Sequence, residues 1–154
     1  MRRNNTDMKT VFVDLDNVLA DYSGAFDRAR QRDPDQVYPQ SQYGFFARLL
    51  PIKGAVETMH AMAESDAYEP YILTAPSIYN PLCYTEKRVW VEDILGLSFV
   101  RHLIICSNKA LIKGDILIDD NQCGCGQESF SGELVHFGGR QFPDWRAVRE
   151  YLHV

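Results

Sequence analysis

The run Val11-Phe12-Val13 breaks off on Asp14, and Asp16 follows one residue later. No other stretch restricts the fold as tightly. A β-branched and aromatic run bounded this way reads as a short buried strand. Asn17 comes next, a residue that tolerates tight-turn backbone. In an open α/β sheet, ligands bind at the carboxyl ends of the strands. Two carboxylates buried there would repel unless something positive stood beside them. A hard divalent cation with oxygen ligands would supply that charge. An isolated Asp-x-Asp is more often a strand followed by a solvated acidic turn, so the rest of the chain has to decide.

Tyr71-Ile72-Leu73-Thr74 reads as a second strand and Val100 to Ile105 as a third. Ile116-Leu117-Ile118 is a fourth, wholly apolar, that runs straight into Asp119-Asp120. Leu134-Val135-His136-Phe137 is a fifth. Between them, Ile52, Val56, Met59 and Ala63 recur at helical spacing. Val89, Trp90, Ile94 and Leu95 do the same after Pro81, with Gly96 as a plausible C-cap. Asp144 stands as the N-cap of a last helix, with Trp145, Val148 and Leu152 on one face. Strands alternating with helices imply an α/β fold, a parallel sheet covered on both faces. Tyr22 to Leu50 departs from that rhythm. Phe26, Ala29 and Arg30 point to a short helix broken at Asp33-Pro34, and the aromatic-rich Tyr43 to Leu50 to another. An insert of this length beside a suspected site reads as a lid or substrate-contact element, or as a peripheral helical pair.

At 154 residues the chain is one domain's worth, 1–154. A net charge of −5 argues against a nucleic acid polymer as partner, and it leaves room for a small phosphorylated ligand. No apolar run reaches membrane-spanning length, so no membrane partner is expected. Residues 1–7 carry positive charge with no apolar stretch behind it and read as a lead-in rather than a signal peptide. Cys83, Cys106, Cys123 and Cys125 are too sparse for a disulfide scaffold, so a reducing cytoplasm is the expected compartment. A homodimer is left open.

Three strands therefore end in chemistry: Asp14/Asp16, Thr74 and Asp119/Asp120. A lysine, Lys109 or Lys113, precedes the fourth strand. Strand ends converge on one crevice in this class of fold. Carboxylates from two strands could hold one Mg²⁺, which prefers oxygen ligands. A hydroxyl and an ammonium remain as anion ligands, with a spare carboxyl beside them. That is equipment for phosphoryl transfer, where stabilising charge is most of the work. Asp14 suits a nucleophile on the metal, and Asp16 a general acid and then base. Thr74 and Lys109 would bind phosphoryl oxygens. Asp119 would complete the metal shell, with Asp120 behind it orienting water or Lys109.

The segments Asp14-Leu15-Asp16-Asn17-Val18-Leu19-Ala20-Asp21, Leu73-Thr74-Ala75-Pro76, Lys109 and Leu117-Ile118-Asp119-Asp120 resemble the four motifs of the haloacid dehalogenase-like superfamily. The narrower resemblance is to its 5′(3′)-deoxyribonucleotidase branch. Gly44-Phe45-Phe46, Lys87-Arg88-Val89-Trp90-Val91-Glu92, His136-Phe137-Gly138 and Phe142-Pro143-Asp144-Trp145 extend it along nearly the whole chain. The resemblance implies a Rossmannoid three-layer sandwich, a five-stranded parallel sheet in the order 5-4-1-2-3, and a small helical cap at residues 22–50. It implies Mg²⁺ on the carboxylates of Asp14 and Asp119 and the backbone carbonyl of Asp16. It implies a phosphatase that acts on nucleoside monophosphates, with Phe45 and Phe46 as cap aromatics near the base. Asn17 stands where the superfamily often has Gly, and Ala75 where the branch tends to show Ser. A phosphatase for another small metabolite, or an inactive binding domain of the same fold, are the rival readings.

Cys123-Gly124-Cys125-Gly126 lacks the ligands of a zinc site and reads as a flexible loop. Lys87 and Arg88 read as a solvated helix face, with a hand in phosphate binding as the other reading. The four histidines read as surface or packing residues.

Overall fold

In the computed structural model, which describes residues 8–154, strand β1 (Lys9–Val13) occupies the middle of a parallel sheet. The lead-in at 1–7 lies outside the described residues. β2 (Tyr68–Thr74) pairs with one side of β1 and β4 (Ile116–Asp119) with the other. β3 (Leu103–Ile105) lies beyond β2, and β5 (Glu133–His136) beyond β4. The order β3-β2-β1-β4-β5 is the expected 5-4-1-2-3 read from the other edge.

A central parallel strand needs apolar side chains on both faces. Val11 and Val13 enter the larger core, where α2 (Ala55–Glu64), α3 (Cys83–Leu95) and α5 (Trp145–Leu152) contribute Met59, Trp90 and Trp145. Phe12 enters a thinner core with Leu73, Leu117 and Phe130. That side is closed by short turns, and Gly114 is needed there: a Cβ on it would meet the Phe12 ring at 2.3 Å.

β2 begins earlier than the sequence indicates, at Tyr68, and includes Pro70. Ile72 donates its N–H to His102 on the β3 side, so Pro70, two residues back, lacks a donor only where β3 has not yet begun. The third strand is shorter than the expected Val100 to Ile105. Gly96, at φ +102°, ends α3 and turns the chain into a single helical turn, α4 (Leu97–Val100), that buries Phe99. The apolar residues of Val100 to Ile105 are thus split between a helix packed on the core and an edge strand. Among the described residues, no helix is long and apolar enough to cross a membrane.

Residues 22–50 leave and rejoin the sheet at adjacent points. The Asp21 N–H donates to Leu50 O and the Ile52 N–H to Leu19 O, each at 2.8 Å. Between those clamps lie α1 (Tyr22–Arg32), capped by the Asp21 carboxylate, and 3₁₀ turns at Pro39–Ser41 and Phe46–Arg48. α3 holds this insert from below. Buried Glu86 accepts from the Gly44 N–H (2.6 Å), the Phe46 N–H (3.0 Å) and Asn80 Nδ2 (3.1 Å), and Trp90 Nε1 donates to Leu49 O at 2.8 Å. Glu86→Ala would strand these donors. The variant is expected to lose about 3 kcal/mol of unfolding free energy, read from urea titration against the wild type.

Candidate active site

β1 stops at Val13 because the chain then turns back on Leu15, whose carbonyl accepts from Val18, Leu19 and Ala20. Asn17 sits inside that turn at φ +62°, a conformation Asn adopts more readily than most residues. Its Oδ1 accepts from the Ser23 N–H (2.9 Å) and its Nδ2 donates to Asp120 Oδ2 (3.4 Å), so one side chain ties the insert to the end of β4. The superfamily's usual glycine could supply the backbone angle and neither bond.

The strand ends of β1, β2 and β4 bring Asp14, Asp16, Thr74, Asp119 and Asp120 to one cleft of about 200 Å³ or its walls. Asp14 and Asp119 are buried, and Lys109 Nζ lies between them, 2.9 Å from Asp14 Oδ1 and 2.5 Å from Asp119 Oδ2. Of the two candidate lysines, Lys109 is in the cleft, while Lys113 is exposed. The Asn108 side chain caps the turn that presents Lys109. Asp119 also accepts from the Asn121 N–H (2.9 Å) and Gln127 Nε2 (3.2 Å).

Lys87 is the correction to the sequence reading. It is fully buried, not on a solvated face. Its Nζ reaches Asp16 Oδ2 (2.8 Å), Thr74 Oγ1 (2.7 Å) and Ala75 O (2.6 Å), and stands 5.1 Å from the centre of the Phe46 ring. The signal was present in the sequence. Lys87 falls at i+4 from Cys83 and one turn before Trp90 and Val91, on the buried stripe of α3. Arg88, one residue on, does lie on the exposed face and pairs with Glu92. Tyr22 and Gln127 also line the cleft, and neither was a sequence candidate.

The cap aromatics divide. Phe46 faces a cavity that also borders Asp16 and Tyr22. Phe45 faces the opposite way, beside Ala29, Arg32 and Arg48, and does not reach the cleft. Successive residues at the start of a tight 3₁₀ turn cannot share a face. Cys125 lines the cleft through its loop, and Cys123 is exposed.

The electrostatics leave room for a cation. One carboxylate oxygen each from Asp14, Asp119 and Asp120 lie within 4.8 Å of one another. With Asp16, four carboxylates face two ammonium groups, an excess of two negative charges. Burial pushes the Asp14 carboxyl up to about 7; Asp119 and Asp16 add to the rise, against the pull of Lys109 and Lys87. Burial and Asp119 likewise raise Asp120. Burial alone would lower Lys109, yet Asp14 and Asp119 outweigh it and hold its ammonium above the usual lysine range. A hard, all-oxygen donor set with two surplus negative charges fits a divalent cation.

A parallel α/β sheet in this order, with paired acids on β1 and β4, a threonine on β2 and a buried lysine before β4, defines a haloacid dehalogenase-like domain. Residues 30–138 match the family described as 5′ nucleotidase, deoxy (Pyrimidine), cytosolic type C protein. The chain belongs to that family, and it is a phosphomonoesterase of the 5′-nucleotidase type. A protein of Vibrio phage KVP40, provisionally named 5′(3′)-deoxyribonucleotidase, is 35% identical over 98% of this chain and 88% of its own length. The human mitochondrial 5′(3′)-deoxyribonucleotidase is 33% identical over 77% of this chain, which covers 64% of it. The human cytosolic type is 32% identical over 77% of this chain and 73% of its own length. The family match begins after Asp14 and Asp16, whereas the phage alignment spans nearly the whole chain.

Proposed function

We propose that the protein hydrolyses deoxynucleoside monophosphates through an aspartyl-phosphate on Asp14. In the first step an Asp14 carboxylate oxygen attacks phosphorus and the bond to the leaving alkoxide breaks. Asp16 gives that alkoxide its proton. In the second step Asp16 takes a proton from water as the water oxygen attacks phosphorus. Inorganic phosphate leaves and the Asp14 carboxylate is restored. The observation that carries this reading is the difference between the two acids. Asp14 is buried against Lys109, while Asp16 is held at Oδ2 by Lys87, with no protein partner at Oδ1. Oδ1 is the atom at which Asp16 would carry the proton.

Thr74 Oγ1 accepts from Lys87, and its own hydroxyl rests on Ala75 O at 3.5 Å, a long bond it would exchange for a phosphoryl oxygen. Lys109 pairs with the same charge. The carboxylates of Asp14 and Asp119 and the backbone carbonyl of Asp16 would hold Mg²⁺, with Asp120 close behind. When bound, the ion would offset the phosphoryl charge and the repulsion among these acids. Residues 22–50 serve as a small cap, and Phe46 with Tyr22 offers the base an aromatic surface (centroids 6.0 Å apart, 26° between planes). The family and the relatives' names support a nucleotide as the ester.

The test is phosphate release from a panel of nucleoside monophosphates and other phosphorylated metabolites, with Mg²⁺ and with EDTA. Deoxynucleoside monophosphates are expected to be the best substrates, and chelation to stop release. Equal rates across the panel, or release that survives EDTA, would sink the reading.

A further inference from the structure

The loop Cys123-Gly124-Cys125-Gly126 is rich in glycine, yet Cys125 is fastened by both of its backbone groups. Its carbonyl accepts from the Lys109 N–H at 2.7 Å, and its own N–H donates to Gln127 Oε1 at 2.8 Å. Gln127 is buried in the 3₁₀ turn at Gln127–Ser129 and lines the phosphate cleft. The other end of its carboxamide, Nε2, donates to Asp119 Oδ2 at 3.2 Å. The same oxygen accepts from Lys109 Nζ at 2.5 Å. These bonds close a ring. Lys109 is held at its backbone through Cys125 and at its ammonium through Asp119, and Gln127 spans the two halves.

An ammonium on a flexible four-carbon stem is not fixed by one ion pair. Lys109 Nζ must also stay 2.9 Å from Asp14 Oδ1. The Asn121 N–H on Asp119 Oδ1 comes from only two residues along and turns with the end of β4. Gln127 brings a donor from beyond the loop, so it opposes rotation of the carboxylate and of the ammonium paired with it. A carboxamide has one acceptor and one donor side by side, and here each is used. It does so without charge, in a cluster that already carries two surplus negative charges.

We propose that Gln127 is a positioning residue for the phosphatase reaction, fixing the Asp119 carboxylate and the Lys109 ammonium as one unit against Asp14. This rests on the metal and phosphate roles given to those residues above. Gln127 acts through Asp119 and Lys109 rather than on the ester.

The test is Mg²⁺ binding by calorimetry on metal-free protein, beside kcat, KM and Tm, for wild type, Gln127→Met, Gln127→Asn and Cys123→Ser. Methionine fills the site and makes neither bond. Asparagine keeps the amide and is one methylene too short to span both, so it carries the comparison should the methionine variant not fold. Both are expected to bind Mg²⁺ about ten- to a hundredfold more weakly. Their kcat at saturating Mg²⁺ should fall about tenfold, with KM changed by much less. Cys123→Ser, on the exposed part of the same loop, should match wild type. A Tm that falls while Mg²⁺ affinity and kcat hold would make Gln127 a brace of the loop alone and overturn the proposal. So would equal losses in Cys123→Ser. Failure of the metal reading would show separately, as wild type that binds no Mg²⁺, and it would take the proposal with it.

Discussion

Asp14→Asn is expected to drop turnover by at least about 10⁴-fold while leaving the protein folded, because the amide keeps the shape and loses the nucleophile. Lys109 keeps an oxygen to bond, 2.9 Å from its Nζ in the wild type. The stability effect has a definite sign. Burial raises the Asp14 carboxyl to about 7, so the fold disfavours its ionised form. Removing that charge from a cluster with two surplus negative charges relieves repulsion. The Tm in metal-free buffer at pH 8 should therefore be equal to the wild type's or higher. Thermal melts and phosphate-release rates on the same preparation check both halves. Near-normal turnover in this variant would remove Asp14 from the nucleophile's place, whatever the melt shows.

The parts legible in the sequence are those where local chemistry and global position agree. Val11 to Val13 is apolar on both sides because β1 is central, and Ile116 to Ile118 for the same reason, so these strands could be read as buried, while their order came only with the family resemblance. The acids at the ends of β1 and β4 were legible only as a set, because one acidic strand end reads as a solvated turn while several that converge on one crevice do not. Lys87 was misread, since a lysine beside an arginine on a helix reads as surface, although its spacing from Cys83 and Trp90 puts it on the buried stripe. Only the register of α3 shows that one turns in and the other out. Phe45 and Phe46 show the same limit from the other side: two adjacent aromatics of equal promise, sorted only by the direction of a single 3₁₀ turn. Between the end of α3 at Gly96 and the start of β3 at Leu103, helix and strand propensities are nearly balanced. Packing of Phe99 on the core decides between them.

Lys87→Met separates a charge from a filler. Methionine matches much of the lysine stem and is at home in a fully buried site against Phe46, so the packing of α3 should survive. What disappears is one ammonium that bonds Asp16 Oδ2, Thr74 Oγ1 and Ala75 O at once. Asp16 then loses the contact that fixes which of its oxygens faces the reacting ester. Thr74 loses the donor that holds its Oγ1 in place. Both changes act on the chemical step more than on substrate capture. The expected result is a fall in kcat of about 10² to 10³, the range of a misplaced general acid–base group, with KM changed by much less. Arg88→Ala is the matched control, since Arg88 neighbours Lys87 in sequence but is exposed and paired with Glu92, and it should leave both constants alone. A Lys87→Met enzyme with full kcat at saturating substrate would reduce Lys87 to a buried support. Equal losses in the two variants would instead trace the effect to α3 as a whole, because the two side chains share a helix and nothing else.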